Sequence, residues 1–326
     1  MDLALRTRAI LMLVVTAAAW GASFPLTKAL QLALEQALPG RSSWLHSSLL
    51  TGGRFGAAAL LLWLSDPRAL ARMKASEIRQ GFGLGICAAF GMLFQADGLA
   101  FTEASTSAFL TQFVCVLVPL YVLLRDRCLP DFRVIGAVLM VVLGVAVLAR
   151  IDWQTLRLGR GEVETLISAT FFSAQLLWLE RPIFRGNNSR HVTLAMFVTI
   201  AALLVPLAIF HAQRSSDLLV LVSSWSIATV FLALTLICSL FAFLVMNHWQ
   251  PHVDASTASI AYCAEPVFAT ALALVIPAWL ALTLGVNYAN ESMTVHLMVG
   301  GTLITLANLL IAWHPRCPEA VDLPDS

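Results

Sequence analysis

Glu265 is the acidic residue that lies deepest within an apolar stretch of this chain, residues 255–279, and Pro266 follows it directly. It comes about eleven residues into that stretch, or roughly 16 Å along a helix, close to the middle of a hydrocarbon layer about 30 Å thick. A carboxylate at that depth costs about 2.5 to 3.5 kcal/mol, so it should face a cavity or carry a proton. Its chemistry is therefore either proton or amine binding, or the hydrogen bonding of a neutral acid between helices.

Arg54 and Asp97 are two further charged residues inside or near apolar stretches. Arg54 lies about six residues, or roughly 9 Å, below the end of its stretch. Its guanidinium can either reach the lipid headgroups or turn inward to bind an anionic group, and the sequence favours neither. Asp97 comes near the end of the third stretch, where a solvated acid is the favoured interpretation and a role at a rim or gate is the alternative.

Several polar and aromatic residues lie within about two helical turns of the depth of Glu265. Interhelical hydrogen bonding can explain any one of them, because such bonds are common in membrane bundles. As a set they predict a polar-lined pocket with aromatic walls. These residues are Trp20, Ser23, Thr111, Gln112, Gln175 and Tyr262.

The composition places these residues in a membrane protein. Of the 326 residues, 59% are hydrophobic and only 12% are charged, and the mean hydropathy is +0.82. That leaves too few polar side chains to cover a soluble globule. The lipid bilayer is therefore the first expected partner.

Stretches near the ~20 residues that a helix needs to cross hydrocarbon occur ten times, which predicts an all-α integral membrane protein. The stretches are residues 10–29, 48–65, 81–101, 104–124, 133–149, 163–180, 192–211, 225–247, 255–279 and 294–313.

Two prolines inside spans, Pro119 and Pro266, mark predicted hinges, because each removes a backbone hydrogen bond. Ser105 and Ser256 lie in the short polar segments that precede these spans and complete the predicted hinge set.

The segment around Ser256 repeats the segment around Ser105. Glu103 aligns with Asp254, and Ala-Ser-Thr follows in both copies. Five predicted spans separate the copies, so the second half should be inverted relative to the first, as is typical of membrane transporters. The predicted units are residues 8–150 and 160–314, followed by a short cytoplasmic tail at 315–326.

The loop charges predict the orientation of the spans. With the amino terminus inside, thirteen Lys and Arg residues fall on the cytoplasmic side and six on the outer side. This imbalance predicts that both termini are cytoplasmic.

Sites of other kinds are not predicted. The six cysteines have no CxxC or metal-type spacing, so we expect neither a metal nor another cofactor. The formal net charge is +1 and no basic block is present, so nucleic acid is not an expected partner. The oligomeric state has no signature in the sequence.

Five short motifs, in order and at family spacing, resemble the EamA-type branch of the drug/metabolite transporter superfamily. They are Trp20-Gly21-Ala22-Ser23-Phe24, Arg54-Phe55, the segment 104–111, Leu117-Val118-Pro119 and the segment 264–268. The resemblance covers residues 10–313. It implies a ten-helix carrier of two inverted five-helix repeats in the inner (plasma) membrane that moves small metabolites, amino acids or drugs, frequently by export.

The chain departs from the family pattern in two places. The ninth span runs into a long segment at 277–293 that contains Glu291, and the outer loop 31–47 is long and contains Trp44 and His46. These departures leave the substrate and any outer gate undefined.

Three function classes follow. A secondary carrier with a central site is the favoured one, and its sharper form couples transport to protons through Glu265. A translocase for a lipid or lipid-linked substrate is the alternative within transport. A ligand-independent scaffold or assembly factor is the second class, but it would not require Glu265 at its predicted depth. An enzyme is not expected, since HExxH, GxSxG and phosphate-loop motifs are absent.

Overall fold

The computed structural model describes residues 3–125, 132–148, 158–179, 181–253, 258 and 261–312, and these residues form helices joined by turns, without a strand. The α-helices are α1 (Leu3–Ala37), α2 (Ser43–Ser65), α3 (Ala69–Arg72), α4 (Ala75–Phe101), α5 (Ala104–Thr111), α6 (Val114–Arg125), α7 (Phe132–Leu148), α8 (Arg160–Leu179), α9 (Ser189–His211), α10 (Val220–Ser223), α11 (Trp225–Ala233), α12 (Ala242–Trp249), α13 (Glu265–Ala273), α14 (Ile276–Leu284) and α15 (Val295–Ala312).

Five helical segments in the described part of the chain are long and apolar enough to cross a membrane. They are Leu5–Ala37, Ser43–Ser65, Ala75–Phe101, Ser189–His211 and Trp225–His252, and the bent pair α13–α14 makes a sixth if it is one span. The chain therefore has the helical, strongly apolar build of a multi-pass membrane protein. The prediction of ten spans in two inverted repeats goes beyond this finding.

Helix α4 lies against both α8 and α9, and small residues allow the close approach. A Cβ added at Gly81 would lie 2.6 Å from the carbonyl oxygen of Val192 in α9. A Cβ added at Gly98 would lie 2.8 Å from the carbonyl oxygen of Gly161 in α8. Because side chains there would push the helices apart, glycine sets their separation, as in many membrane bundles.

An aromatic cluster fills the core between α2, α9 and α12. The ring centroids of Phe55 and Phe197 are 5.4 Å apart, those of Phe55 and Phe243 5.6 Å, and those of Phe197 and Phe243 6.0 Å. The tilted and edge-to-face arrangements of these rings are the ones that aromatic quadrupoles favour. All three side chains are buried, so the cluster anchors the middle of the bundle.

Two predicted spans are interrupted, and none of the breaks is at a predicted hinge proline, Pro119 or Pro266. Span 104–124 breaks at a turn at Gln112 and Phe113, and the helix continues through residue 119. Span 255–279 breaks at Cys263 and Ala264, and again between α13 and α14, which are bent by 59°.

Pro266 is the second residue of α13, where its missing N–H removes no helical hydrogen bond. The regular helical hydrogen bonding is therefore interrupted before Pro266 rather than after it.

Several predicted features lie outside the described residues. They are Ser256 and Asp254, the tail 315–326 and the boundary at residue 150.

A third predicted span is also irregular, in the helix that runs from α11 to α12. Residues Leu234–Phe241 form a π-helical segment between these two α-helices, in what the sequence predicted as an uninterrupted span at 225–247. Such segments insert a bulge in the helix and are frequent at functional sites.

Candidate functional site

A cavity of about 90 Å³ lies where the interrupted helices meet, and it has room for several water molecules. Of the nine residues that the sequence proposed for binding or coupling, eight line this cavity. They are Trp20, Ser23, Arg54, Thr111, Gln112, Gln175, Tyr262 and Glu265. The fold therefore brings together residues from five regions that are far apart in sequence.

The two helix breaks face each other across the cavity. Gln112 lies at the break between α5 and α6, and Glu265 is the first residue of α13. The Nε2 of Gln112 donates to Oε2 of Glu265 over 3.3 Å. Glu265 is only 8% exposed, and this amide is the hydrogen-bond partner of its side chain among the described residues.

Gly21 of α1 allows α13 to bring Glu265 to this position. A Cβ at residue 21 would lie 2.8 Å from the backbone nitrogen of Ala269 and 2.9 Å from the carbonyl oxygen of Glu265. Real Cβ atoms do not approach backbone so closely. Glycine is therefore required where α1 crosses the start of α13.

Arg54 points inward rather than toward the headgroups. Its side chain is buried, and its residue is 5% exposed. The guanidinium carbon lies 4.8 Å from the ring centroid of Phe55, and Nη2 lies 3.0 Å from the sulfur of Met92. The sequence left open whether Arg54 reaches the headgroups or turns inward, and in this structure its side chain turns inward.

Aromatic rings form one wall of the cavity. The ring of Trp20 lies 5.3 Å from that of Phe243 and 5.5 Å from that of Tyr262, centroid to centroid. The hydroxyl of Tyr262 donates to Oε1 of Gln250 over 2.8 Å. By contrast, Nε1 of Trp20 is buried without a hydrogen-bond partner, so one indole donor is unused.

Sequence reasoning missed several residues of the lining. The Nε2 of Gln95 donates to the hydroxyl of Thr111 over 3.1 Å, and an amide in the middle of an apolar stretch was a signal that could have identified it. The other missed residues are apolar or thiol side chains whose direction the sequence does not encode. They are Met92, Val114, Cys115, Phe172, Leu176, Leu179, Cys238, Phe243 and Met246.

Asp97 is the proposed site residue that does not line the cavity, and the favoured prediction of a solvated acid is wrong. Its side chain is fully buried and pairs with the Nη2 of Arg160. It also accepts a hydrogen bond from the hydroxyl of Ser47 over 3.0 Å. Arg160 binds Glu164 as well, over 2.8 Å. The acid is buried because α8 supplies its counter-ion, which the sequence could not reveal.

The predicted hinge at Ser105 is held by a residue from the long segment before α15. Glu291 accepts from the backbone nitrogen of Ala104 over 2.7 Å, and from the backbone nitrogen and hydroxyl of Ser105. A carboxylate at a helix N-terminus satisfies free N–H groups and complements the helix dipole. Lys28 donates to the carbonyl oxygen of Thr102 beside it. Together these contacts tie the start of α5 to α1 and to the segment before α15.

An ion pair stabilises another connection outside the helical spans. Arg41 and Asp217 lie 3.0 Å apart and join the loop before α2 to the loop before α10. Although burial raises the pKa of Asp217, the amides of Gln213 and Arg214 and the guanidinium of Arg41 hold it below its ordinary value. The carboxylate is therefore ionised in the folded protein at neutral pH.

The opposite end of the bundle is joined by a second polar network. Glu77 accepts from the backbone nitrogen of Asn188 over 2.9 Å and contacts the Nδ1 of His191 at 2.8 Å. Asn187 donates to the side chain of Gln80 over 2.8 Å. These bonds fasten the start of α4 to the start of α9. Each end of the bundle thus has its own polar network, around Asp97 and Glu291 at one end and around Glu77 at the other, with the cavity between them.

Among the described residues, no group of three or more His, Cys, Asp and Glu side chains is placed to hold a metal ion.

Comparisons with known proteins agree with this architecture. No family model matches the chain, so the resemblance to the EamA-type branch stays a prediction. A protein of Archaeoglobus fulgidus named "Uncharacterized transporter" is 26% identical over 261 residues, which are 79% of this chain and 74% of that protein. A solved structure named "Crystal structure of protein" has a TM-score of 0.55 at 19% identity and covers 94% of this chain and 97% of that chain. The structural likeness supports the fold alone, and the sequence likeness is to a transporter.

Proposed function

We propose that this protein is a secondary transporter that moves a small solute across the inner (plasma) membrane by alternating access. The observation that carries the proposal is the hydrogen bond between Gln112 and Glu265, which joins two interrupted helices at one cavity. Interrupted helices that meet at a central site are a recurrent feature of secondary transporters, because unwound backbone and helix ends can bind polar groups inside the membrane.

The positions of the breaks support two related halves. The sequence repeat aligns residue 103 with residue 254, and the same register aligns the turn at 112 and 113 with the turn at 263 and 264. In our proposal the chain forms ten spans as two inverted five-helix units, 8–150 and 160–314, of the EamA type. The transporter of Archaeoglobus fulgidus supports the general class.

The cavity is smaller than the ~300 Å³ at which small-molecule pockets usually begin. A solute of metabolite size therefore needs the walls to separate. In the proposed cycle the hydrogen bonds and ion pairs of Glu291 and Asp97 break when the outer end opens. Those of Glu77 break when the inner end opens, and the two ends open in turn. Ser105 lies beside one moving joint, at the start of α5, and the sequence repeat makes Ser256 the proposed counterpart in the second half. Export is the direction that the family resemblance implies.

Glu265 is the proposed coupling residue. It is a buried acid whose Oε2 bonds to a neutral amide, and it lies at the junction of α1, α5 and α13. A group in this position can exchange a proton with the side of the membrane to which the cavity opens. Loss or gain of that proton changes the hydrogen bond to Gln112, and so couples protonation to the helix break between α5 and α6.

A flux assay tests the proposal. The full chain is reconstituted into liposomes, and accumulation of a solute identified by a metabolite-resistance screen is followed under an imposed pH gradient. Glu265→Gln should abolish pH-driven accumulation because the variant cannot release a proton. The exposed acid Glu35 supplies the matched control, Glu35→Gln, which should behave as wild type. Unchanged concentrative uptake in Glu265→Gln refutes the coupling, and no flux in wild type refutes transport.

The apolar part of the cavity lining favours one second candidate, a translocase for lipid or lipid-linked substrates. Phe172, Leu176 and Leu179 line one side of the cavity and suit an acyl chain. The same liposomes loaded with a fluorescent phospholipid decide between the two. Lipid movement without solute flux favours translocation of lipid, whereas chemical turnover of the solute without movement favours an enzyme.

A further inference from the structure

We infer that Arg54 forms a subsite for a carboxylate group, so that the transported solute is a small monocarboxylate. This inference names the substrate class of the cavity described above and rests on the proposed transport function. It is carried by a buried cation that faces a cavity without a counter-ion, together with the small number of charges around that cavity.

Arg54 has donors that nothing in the described part of the chain uses. Its Nε is buried without a hydrogen-bond partner, and Nη2 contacts only the thioether sulfur of Met92, a weak acceptor. No carboxylate oxygen of a described residue lies within ion-pair distance of its guanidinium. A guanidinium taken out of water without a partner is strongly disfavoured, so a ligand is the expected source of the missing acceptor.

A second unused donor lies in the same lining. Nε1 of Trp20 is buried and unpaired, and Trp20 borders the cavity together with Arg54. A planar carboxylate matches the two-pronged N–H edge of a guanidinium and has lone pairs left for an indole N–H. Both free donors therefore call for an acceptor of the same kind.

The charge of the lining limits the ligand to one negative charge at this subsite. Among the described lining residues, Arg54 is the cation and Glu265 is the acid. A dianion such as phosphate would leave excess negative charge in a site of low dielectric, which costs more than one arginine can offset. A monocarboxylate leaves the guanidinium neutralised. The neutral amides of Gln95, Gln112 and Gln175 then contact the remainder of the solute.

Ligand-dependent thermal stability of the full chain in detergent tests the inference. The probes are three matched pairs: butyrate and butyramide, 3-phenylpropionate and 3-phenylpropionamide, and leucine and leucinamide. In at least one pair the carboxylate should raise the unfolding midpoint well above the amide, because binding to the folded state stabilises it. Arg54→Gln should lose this difference, whereas Arg79→Gln, which removes an exposed arginine, should keep it. Sodium phosphate should stabilise less than the best carboxylate.

A structural role for Arg54 predicts different results. If the unpaired guanidinium serves a ligand, Arg54→Met should leave the unliganded midpoint unchanged or higher, because an uncompensated buried charge is removed. In Arg54→Lys the carboxylate should raise the unfolding midpoint less than in wild type, because lysine keeps the charge but lacks the paired N–H donors of the guanidinium. A large fall in the unliganded midpoint of Arg54→Met, or equal effects of acids and amides in wild type, overturns the inference.

The result is separable from the test of transport. Carboxylate binding that depends on Arg54, without flux in liposomes, retains this subsite and refutes transport. Flux of neutral or cationic solutes at equal rates in wild type and Arg54→Gln retains transport and refutes the subsite.

Discussion

The buried charges of this protein fall into two groups that differ in whether they have partners. Asp97 has a counter-ion in Arg160 and a hydrogen bond from Ser47. Arg54 has no counter-ion among the described residues, and Glu265 has one neutral amide. Because unpaired buried charges destabilise a fold, the second group is the one that function explains. The first group is explained by the fastening of helices.

The Asp97–Arg160 pair predicts a measurable loss of stability. Arg160→Met should lower the unfolding free energy by roughly 1 to 3 kcal/mol, since it leaves a fully buried carboxylate without its cation. The half-exposed position of Arg160 places the value below that of a fully buried pair. Adding Asp97→Asn should restore part of the loss. Thermal unfolding of the single and double variants measures it, with the exposed Arg185→Met as control. Equal midpoints for Arg160→Met and wild type would contradict this assignment.

At the scale of helices, irregularity is concentrated around the cavity. The break at 112–113 and the π-helical segment Leu234–Phe241 contribute lining residues, and the break at 263–264 lies between two others, Tyr262 and Glu265. Regular helices keep their backbone groups paired within themselves, so a site that must bind polar groups inside lipid benefits from such interruptions. The uninterrupted helices α2, α4 and α9 supply the rigid frame against which these segments are held.

Gly21 provides the sharpest test of helix packing at the site. Gly21→Ala should destabilise the protein by roughly 1 to 3 kcal/mol and reduce flux, because its Cβ would meet the backbone of α13 at 2.8 Å. Gly136→Ala is the matched control, since nothing lies within 4 Å of a Cβ there, and alanine favours helix by up to about 1 kcal/mol. Thermal midpoints and flux rates of both variants are compared. If both substitutions have the same effect, α1 and α13 are not in the close contact described.

At the scale of the whole molecule, polar networks of hydrogen bonds and ion pairs lie at two opposite ends, with the cavity between them. One end contains Ser43, Asp97, Arg160 and Glu291, which join α2 and α4 to α8, and α5 to the segment before α15. The other contains Glu77, Asn187 and His191, which join α4 and α9. Closing both ends around a small cavity is what an occluded intermediate of an alternating-access cycle requires.

Accessibility labelling tests the proposed inverted arrangement of the two halves. In a background that lacks the six native cysteines, Glu103→Cys should react with a membrane-impermeant maleimide added outside cells. Asp254→Cys should react only after permeabilisation, because an inverted second half places it on the inner side. Gln36→Cys and Arg79→Cys mark the predicted outer and inner sides. Labelling of residues 103 and 254 from the same side would refute the inverted pairing.

The sequence alone determined the broad class of the protein, and it predicted a common depth for its polar residues. Hydropathy and helical rise both run along the chain, so they place Glu265, Gln112 and Trp20 at one level without any knowledge of neighbours. That is why eight of the proposed residues line one cavity. Residue 112 was identified as polar and deep, although the break at that position was expected at Pro119.

Only the tertiary structure decided which way the side chains point and which helices meet. The rotation of α2 about its axis turns Arg54 inward, and the approach of α8 converts Asp97 from a presumed solvated acid into a buried ion pair. These outcomes depend on contacts between segments distant in sequence, such as Gly21 against α13 and Glu291 against Ser105. Local propensity and periodicity do not encode them, because they arise from the packing of whole helices.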